Sequence, residues 1–189
     1  MICPHCNIGI LPEYCESFEI SDKTYYYLYK CPGCGNGIMT KEYDDKILEI
    51  YPYSGYENFP ENINKISTDF IEIYRQSLIA HNAGLTSISG IGFRKAFEFL
   101  IKDYAIYLYP DHKQDITTKN LSSVIKSYFE DNFLNSVFKK ISWLGNDHAH
   151  YYNKHSDYDC DDLMRYIKAC VSIIDSHLQL KELDSIPSI

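Results

Sequence analysis

Two cysteine pairs, CPHC at residues 3–6 and CPGC at residues 31–34, decide the fold of the first part of this chain. A Cys-x-x-Cys turn lets two thiolates reach one ion from the same side, and two such turns complete a tetrahedron around Zn²⁺. Since sulfur fills all four positions, the pattern indicates a structural zinc rather than a catalytic zinc, which keeps one position open. We therefore predict one structural Zn²⁺ per chain, with the ligands Cys3, Cys6, Cys31 and Cys34.

The sequence between and after the two pairs predicts a small β module. FEISDKTYYYLYKC, residues 18–31, alternates its side chains around an SDK turn as a β-hairpin does, and DKILEIYP, residues 45–52, predicts a third strand. This arrangement is typical of a zinc ribbon, which we expect at residues 1–54. Residues 1–60 contain four lysines, no arginine and nine acidic residues. The module therefore suits protein recognition or oligomer contacts better than phosphate binding, and a role purely as a folding staple stays an alternative.

Residues 55–189 predict a helical domain, which begins with the linker GYENFPENIN at residues 55–64. Apolar residues then recur at three- and four-residue steps, the periodicity of amphipathic helices. We predict an antiparallel bundle of about five helices, so the expected fold class is mainly α with a small β zinc ribbon. The predicted helices cover residues 63–81, 87 or 89 to 109, 121–130, 133–150 and 161–180.

Composition restricts the kinds of protein that this chain can be. Apolar residues make up 45% of its 189 residues, which is enough for a core, and no uninterrupted apolar stretch predicts a membrane span. The N-terminus lacks a basic region followed by a long apolar run, so we expect a cytoplasmic protein without a secretory signal. The net charge of −8 argues against tight binding of duplex DNA, which depends on neutralising phosphates.

A first polar pair interrupts the apolar pattern of the second predicted helix. Arg94 and Glu98 lie four residues apart and therefore share one helical face. Apolar neighbours such as Phe93 and Phe97 flank them, so the pair is either an ordinary surface ion pair or a partly buried pair with a function.

A second polar cluster, GNDHAH at residues 145–150, lies at the end of the fourth predicted helix. If the helix continues through it, Asn146, Asp147 and His150 share one face, and His148 is directed elsewhere. An imidazole beside a carboxylate and an amide is suited to general acid or base catalysis near neutral pH. The alternative is a helix-packing cluster in which these side chains are only satisfied polar groups.

RKAFEFLI at residues 94–101, LGNDHAHY at residues 144–151 and DLMRYI at residues 162–167 together resemble a bacterial domain of the HEPN (higher eukaryotes and prokaryotes nucleotide-binding) superfamily. The resemblance covers roughly residues 60–180, and some members carry a preceding zinc ribbon. It implies an all-helical domain that dimerises and, in many members, a metal-independent ribonuclease of toxin–antitoxin or anti-phage systems.

The motif of that superfamily is an arginine, a polar residue, three further residues and a histidine. On this chain the resemblance assigns the histidine to His150 and the polar residue to Asn146, while Gly145 stands where the arginine belongs. We therefore expect an endoribonuclease in which His150 moves a proton and Arg94, held by Glu98 and helped by Asn146, stabilises charge on the phosphate. Asp147 and His148 would tune this pair or supply its second acid–base group.

The expected partners are RNA, further copies of the chain in a homo-oligomer, and a protein trigger that binds the zinc ribbon. The missing arginine leaves open a non-catalytic adaptor that binds protein partners instead. A metal-dependent hydrolase is a further alternative, with the candidate ligands Asp147, His148, His150, His155 and Asp157. It is disfavoured because two histidines that are two residues apart on a helix diverge by about 200°.

Overall fold

A computed structural model describes residues 1–151 and 154–184, which form two compact units. The first unit comprises Met1–Glu57 together with Leu78–Gly84. The second unit comprises Asn58–Ser77 together with the described residues from Leu85 onward. The β-sheet and both cysteine pairs belong to the first unit, and most of the helical residues belong to the second.

The first unit is built around a four-stranded antiparallel sheet in which each strand pairs with the next one along the chain. Two-residue turns join the first strand to the second and the third to the fourth, and Lys23, Asp44 and Asp45 have positive φ of 59°, 48° and 61°. Such left-handed turns match the right-handed twist of paired strands, which is why they close tight hairpins. The strands are β1 Glu13–Ser21, β2 Thr24–Lys30, β3 Gly37–Tyr43 and β4 Lys46–Tyr51.

Alternate residues of β2 place a row of tyrosine rings on one face of the sheet. The ring centroids of Tyr25 and Tyr27 lie 6.0 Å apart, and those of Tyr27 and Tyr29 lie 6.1 Å apart in a stacked arrangement. At the end of the row Tyr29 packs against a buried cluster that contains Cys31 and Ile38. The same aromatic row therefore stabilises both the sheet and the cysteine cluster.

Seven α-helices lie in the described part of the chain, and the third of them is the centre of the second unit. Its residues Phe93, Phe97, Leu100, Ile101 and Tyr104 recur at three- and four-residue steps and are at most 2% exposed. None of the helices in the described ranges is long and apolar enough to cross a membrane. The helices are α1 Glu61–Ile66, α2 Thr68–Asn82, α3 Thr86–Leu108, α4 Lys113–Thr118, α5 Leu121–Tyr128, α6 Asn132–Asp147 and α7 Cys160–Asp184.

The predicted fold class is wrong in its numbers of helices and strands. About five helices and three strands were predicted, whereas the described residues form seven α-helices and four strands. Ser67 divides the first predicted helix into α1 and α2, because its backbone is not helical (φ −148°, ψ 74°) and its hydroxyl donates to Asp103 Oδ2 over 2.5 Å. The segment between α3 and α5, which none of the predicted helices includes, contains the short helix α4. GIMTKEY, residues 37–43, forms β3, which was not predicted as a strand. Its alternation of apolar and polar residues is short and directly follows the glycine-rich second cysteine turn.

Helix α6 is shorter than expected at its C-terminal end. Asp131 caps its start, since the Oδ1 atom accepts a hydrogen bond from the Leu134 amide over 2.7 Å. At the other end the Ala149 amide donates to the Asn146 carbonyl over 2.9 Å, a three-residue closure that tightens and ends the helix. The prediction that this helix continues to His150 is therefore wrong, and His150 lies beyond its end.

Candidate functional site

The four cysteines of the two pairs converge on one point. Their ligand atoms all lie within 4.8 Å of one another, with 3.8 Å between the Sγ atoms of Cys3 and Cys34 and also between those of Cys6 and Cys31. A disulfide requires about 2.05 Å between sulfurs, whereas four sulfurs at about 2.3 Å from a tetrahedral ion lie roughly 3.8 Å apart. The cysteines are therefore positioned to hold a metal ion, which confirms their predicted convergence.

Both cysteine turns have the same backbone geometry. The Asn7 amide donates to the Cys3 carbonyl over 2.9 Å, and the Gly35 amide donates to the Cys31 carbonyl over 2.8 Å. Asn7 and Gly35 both have positive φ, at 55° and 74°, a conformation that asparagine and glycine tolerate best. The first cysteine of each pair is fully buried, whereas Cys6 is partly buried and Cys34 is exposed. The two turns therefore present their sulfurs to one centre in the same way.

Polar hydrogen atoms of the second turn are directed at sulfur. The Cys34 amide donates to Cys31 Sγ over 3.5 Å, and the Asn36 side-chain amide donates to Cys34 Sγ over 3.4 Å. Such donors favour thiolates, which are the form of cysteine that binds a metal. The centre offers sulfur at every position, and this closed set of donors is typical of structural metal sites.

In the second unit, Arg94 of α3 contacts the end of α6. Arg94 Nε donates to Asn146 Oδ1 over 2.7 Å, and an Arg94 terminal nitrogen lies 3.8 Å from Glu98 Oε2. Lys102 Nζ lies 2.9 Å from Glu98 Oε1 on the next turn of the same helix. The Arg94 and Glu98 side chains are 32% and 27% exposed, so this charged row lies at the edge of the core rather than in open solvent.

Two glycines let α3 and the end of α6 approach closely. A Cβ atom at Gly145 would lie 2.9 Å from Arg94 Cγ and 3.0 Å from Arg94 Cβ. A Cβ atom at Gly90 would lie 2.6 Å from Cγ of His148. The stem of Arg94 thus occupies the space that a side chain at position 145 would need, and His148 fills the space beside Gly90.

A polar groove of about 580 Å³ lies beyond the end of α6. It brings together two imidazoles, an ammonium group, a carboxylate, an amide and an indole ring. Its lining residues, which we call the polar groove, are Trp143, Asn146, Asp147, His150, Lys154 and His155.

Asp147 fixes the loop that returns to the groove. Its Oδ2 atom lies 2.6 Å from His155 Nδ1 and also accepts a hydrogen bond from the His155 amide over 2.9 Å. Desolvation alone would raise the pKa of Asp147, but the hydrogen bonds from the His155 ring and from the Lys154 and His155 amides outweigh it and lower the pKa. The ionised carboxylate therefore stabilises the folded loop above about pH 4, and this contribution is lost as the pH falls through the lowered pKa.

The predicted site residues fall into three groups. Asn146, Asp147 and His150 line the polar groove, and the His150 side chain is exposed there. Arg94 and Glu98 lie on α3 and reach the groove residues through Asn146.

His148, by contrast, packs against Gly90 and is not a lining residue of the groove. The sequence reasoning overlooked Trp143 and Lys154 and considered His155 only as a metal ligand. The available signal was the density of ionisable groups on both sides of Asp147.

Across residues 1–151 and 154–184, the four cysteines are the one group of three or more candidate ligands close enough to share a metal. Among these described residues, the candidate ligands of the disfavoured metal-dependent hydrolase do not form such a group.

Comparison of this chain with protein-family models, with curated proteins and with solved structures finds no significant match. The resemblance to the HEPN superfamily therefore stays a prediction.

Proposed function

We propose that this chain is an endoribonuclease whose acid–base residues lie in the polar groove and whose reaction needs no metal ion at the phosphate. One observation carries the proposal: two imidazoles, His150 and His155, line the same groove, and a carboxylate orients one of them. Cleavage of RNA by its own 2′-hydroxyl requires one base and one acid, which two histidines supply near neutral pH.

In the proposed reaction His155 is the general base. Donation from its Nδ1 to Asp147 selects the tautomer in which Nε2 is the basic nitrogen. Nε2 takes the proton of the ribose 2′-hydroxyl, and the 2′-oxygen attacks the adjacent phosphorus. Asp147 acts as a positioning residue that also stabilises the imidazolium formed in this step.

His150 is the general acid of the same step. Its imidazolium gives a proton to the leaving 5′-oxygen as the bond between phosphorus and that oxygen breaks. The products are a 2′,3′-cyclic phosphate and a 5′-hydroxyl, so atoms and charges balance without water or a cofactor. Lys154, in the same groove, stabilises the added negative charge on the phosphate.

Arg94 supplies further positive charge beside the groove. Its Nε is bound to Asn146, which itself lines the groove. The HEPN motif would have an arginine at position 145, and the Arg94 stem fills the space that such a side chain would need. Arg94 therefore lies where the motif arginine would lie, which supports its role as the guanidinium group of the site.

For the cysteine centre we propose Zn²⁺ as the bound metal, one ion per chain. Cys₄ sets with this geometry are typical of structural zinc, and no position is left for a substrate. The metal then stabilises the N-terminal module rather than taking part in RNA cleavage. We further propose that the enzyme works as a homo-oligomer. A chain with a net charge of −8 needs a local positive site to bind RNA, and assembly would create one by bringing basic groups of several copies together.

Cleavage of a labelled single-stranded RNA by the purified full-length chain, with no divalent cation added, tests the proposal. We expect a 2′,3′-cyclic phosphate product and no cleavage at a nucleotide whose 2′-hydroxyl is replaced by hydrogen. His155→Ala and His150→Ala are each expected to reduce the rate at least about 100-fold. His112→Ala, which changes an exposed histidine outside the groove, is the matched control. Equal rates for all three variants would contradict the proposal.

A second candidate function, a non-catalytic adaptor, is favoured by apolar side chains that the N-terminal module exposes. Leu11 is 90% exposed, and Ile2 and Ile20 are each 62% exposed. Contiguous exposed apolar residues are typical of protein-binding surfaces, and these three residues belong to the same compact unit. The adaptor predicts a stable complex with a protein trigger that is lost on Leu11→Ser, together with unchanged biological activity of the His150→Ala protein.

A further inference from the structure

An apolar slot of about 460 Å³ lies next to the polar groove, between α6, α7 and the loop before α7. Aromatic rings of Trp143, Tyr158 and Tyr166 form part of its wall, and apolar side chains such as Leu144 and Ile173 form most of the remainder. Lys140 and His155 also line the slot. Volumes of this size accommodate small aromatic or drug-sized groups.

The slot and the polar groove share two lining residues, Trp143 and His155. A molecule that contacts both spaces therefore places an apolar, flat portion against aromatic rings and a polar portion next to His150 and Lys154. A nucleotide has this division, since its base has two apolar faces and its phosphate is anionic. Lys140 at the slot adds a second positive group on the same side of α6.

We propose that the slot binds the base of a nucleotide next to the cleaved phosphate, stacked on Trp143. This inference rests on the proposed ribonuclease function and names its substrate class as single-stranded RNA. A base in a duplex is stacked on its neighbours and cannot enter the slot, whereas an unpaired base turns outward onto aromatic side chains. The slot therefore selects unpaired nucleotides.

A helix from a second copy of the chain is the competing occupant of the slot. Covering the slot with apolar side chains would remove water from Lys140, which lines the slot, and would bring apolar groups next to Lys154 of the polar groove. Burial of such groups without new polar partners is costly. A base attached to a phosphate avoids that cost, because the phosphate supplies the partner for the positive groups.

Trp143 permits a direct test, because it is the only tryptophan of the chain and is 50% exposed. Full-length protein is titrated with a 2′-O-methyl RNA oligonucleotide, which binds but lacks the hydroxyl needed for cleavage. We expect quenching of the tryptophan fluorescence, and no quenching by an oligonucleotide that has the same phosphates but no bases.

Ala169→Phe fills the slot from an exposed position of α7. We expect it to weaken the affinity for the oligonucleotide, measured by quenching, about tenfold. Ser172→Phe adds the same ring to an exposed position of α7 that is not part of the slot, and it is expected to leave the titration unchanged. Circular dichroism of both variants establishes that each is folded.

Three results would overturn the proposal that the slot binds a base. The first is equal quenching by the base-free oligonucleotide, and the second is a titration of Ala169→Phe that does not differ from that of the wild type. The third is a blue shift of the tryptophan emission that depends on protein concentration and occurs without nucleotide. The last result would assign the slot to a second copy of the chain. Because the oligonucleotide cannot be cleaved, the test is separate from the ribonuclease assay. Quenching without cleavage of ordinary RNA would refute the ribonuclease function but not base binding by the slot. Cleavage without quenching would refute base binding by the slot but not the ribonuclease function.

Discussion

The cysteine centre and the polar groove differ in how completely each is closed. In the cysteine centre, two matched turns present four sulfurs to one point, and the first cysteine of each pair is buried. In the polar groove, His150 is exposed and His155 is bound by the Asp147 carboxylate. A closed set of donors stabilises structure but has no room for a substrate, whereas an open groove has room but little stabilising contact. In the proposed function, stability and chemistry therefore depend on different parts of the chain.

Removal of one sulfur gives the largest effect that this comparison predicts. Cys31→Ser is expected to abolish tight metal binding and to unfold the N-terminal module, because binding of a structural metal supplies much of the folding free energy of such modules. Elemental analysis of the purified protein measures the metal and is expected to find one zinc per chain in the wild type. Cys15→Ser, an exposed cysteine outside the cluster, is the control; metal retained by Cys31→Ser would contradict the closed centre.

A change in the polar groove should affect the reaction and leave the metal in place. Asp147→Asn keeps the size of the side chain but removes the charge that orients His155. We expect the cleavage rate to fall about 100-fold or more, with unchanged zinc content and little change in oligonucleotide binding measured by Trp143 fluorescence. A loss of binding equal to the loss of rate would indicate that Asp147 only holds the loop.

The close approach of α3 and α6 is expected to contribute a smaller effect, which we measure as a change in stability. Gly145→Ala places a Cβ atom 2.9 Å from Arg94 Cγ, so the arginine stem must move and the variant should lose about 1–3 kcal/mol of unfolding free energy. Urea denaturation measures this loss. Gly9→Ala, where nothing lies within 4 Å of the added atom, is expected to change stability little; equal stability of both variants would contradict the close approach.

The smallest effect concerns pH and the core of the second unit. Burial, with a further contribution from Lys181, lowers the pKa of His177, whose Nδ1 is hydrogen-bonded to the Tyr104 hydroxyl. Because the folded pKa is below the unfolded value of about 6.5, stability is complete above that pH and falls as the pH drops through the folded pKa. His177→Gln should weaken this acid-induced loss in urea titrations between pH 7.5 and about 5. An identical loss in the variant would contradict the assignment.

Some of these features could be predicted from the sequence because they depend on local spacing. The four cysteines were identified by the Cys-x-x-Cys geometry, which is set by only a few bonds. The hairpin around residues 22 and 23 and the long apolar helix α3 have equally local signals.

Features that depend on tertiary contacts could not be predicted in this way. The division of the first helix depends on the contact of Ser67 with Asp103, which lies 36 residues away. The partnership of Asp147 with His155 depends on the path of the loop after α6. The contact of Arg94 with Asn146 across 52 residues joins two helices whose close approach depends on glycine. Spacing rules describe none of these contacts, because they arise only when the helices pack.

The separate roles of the two groove histidines are tested most directly with an RNA in which sulfur replaces the 5′-bridging oxygen at the cleaved phosphate. A thiolate leaves without taking up a proton, so this substrate needs the general base but not the general acid. His150→Ala should therefore cleave the sulfur substrate at close to the wild-type rate, whereas His155→Ala should cleave both substrates slowly. A defect of His150→Ala that is as large on the sulfur substrate as on ordinary RNA would mean that His150 does not protonate the leaving group, and would contradict the polar groove as the reacting centre.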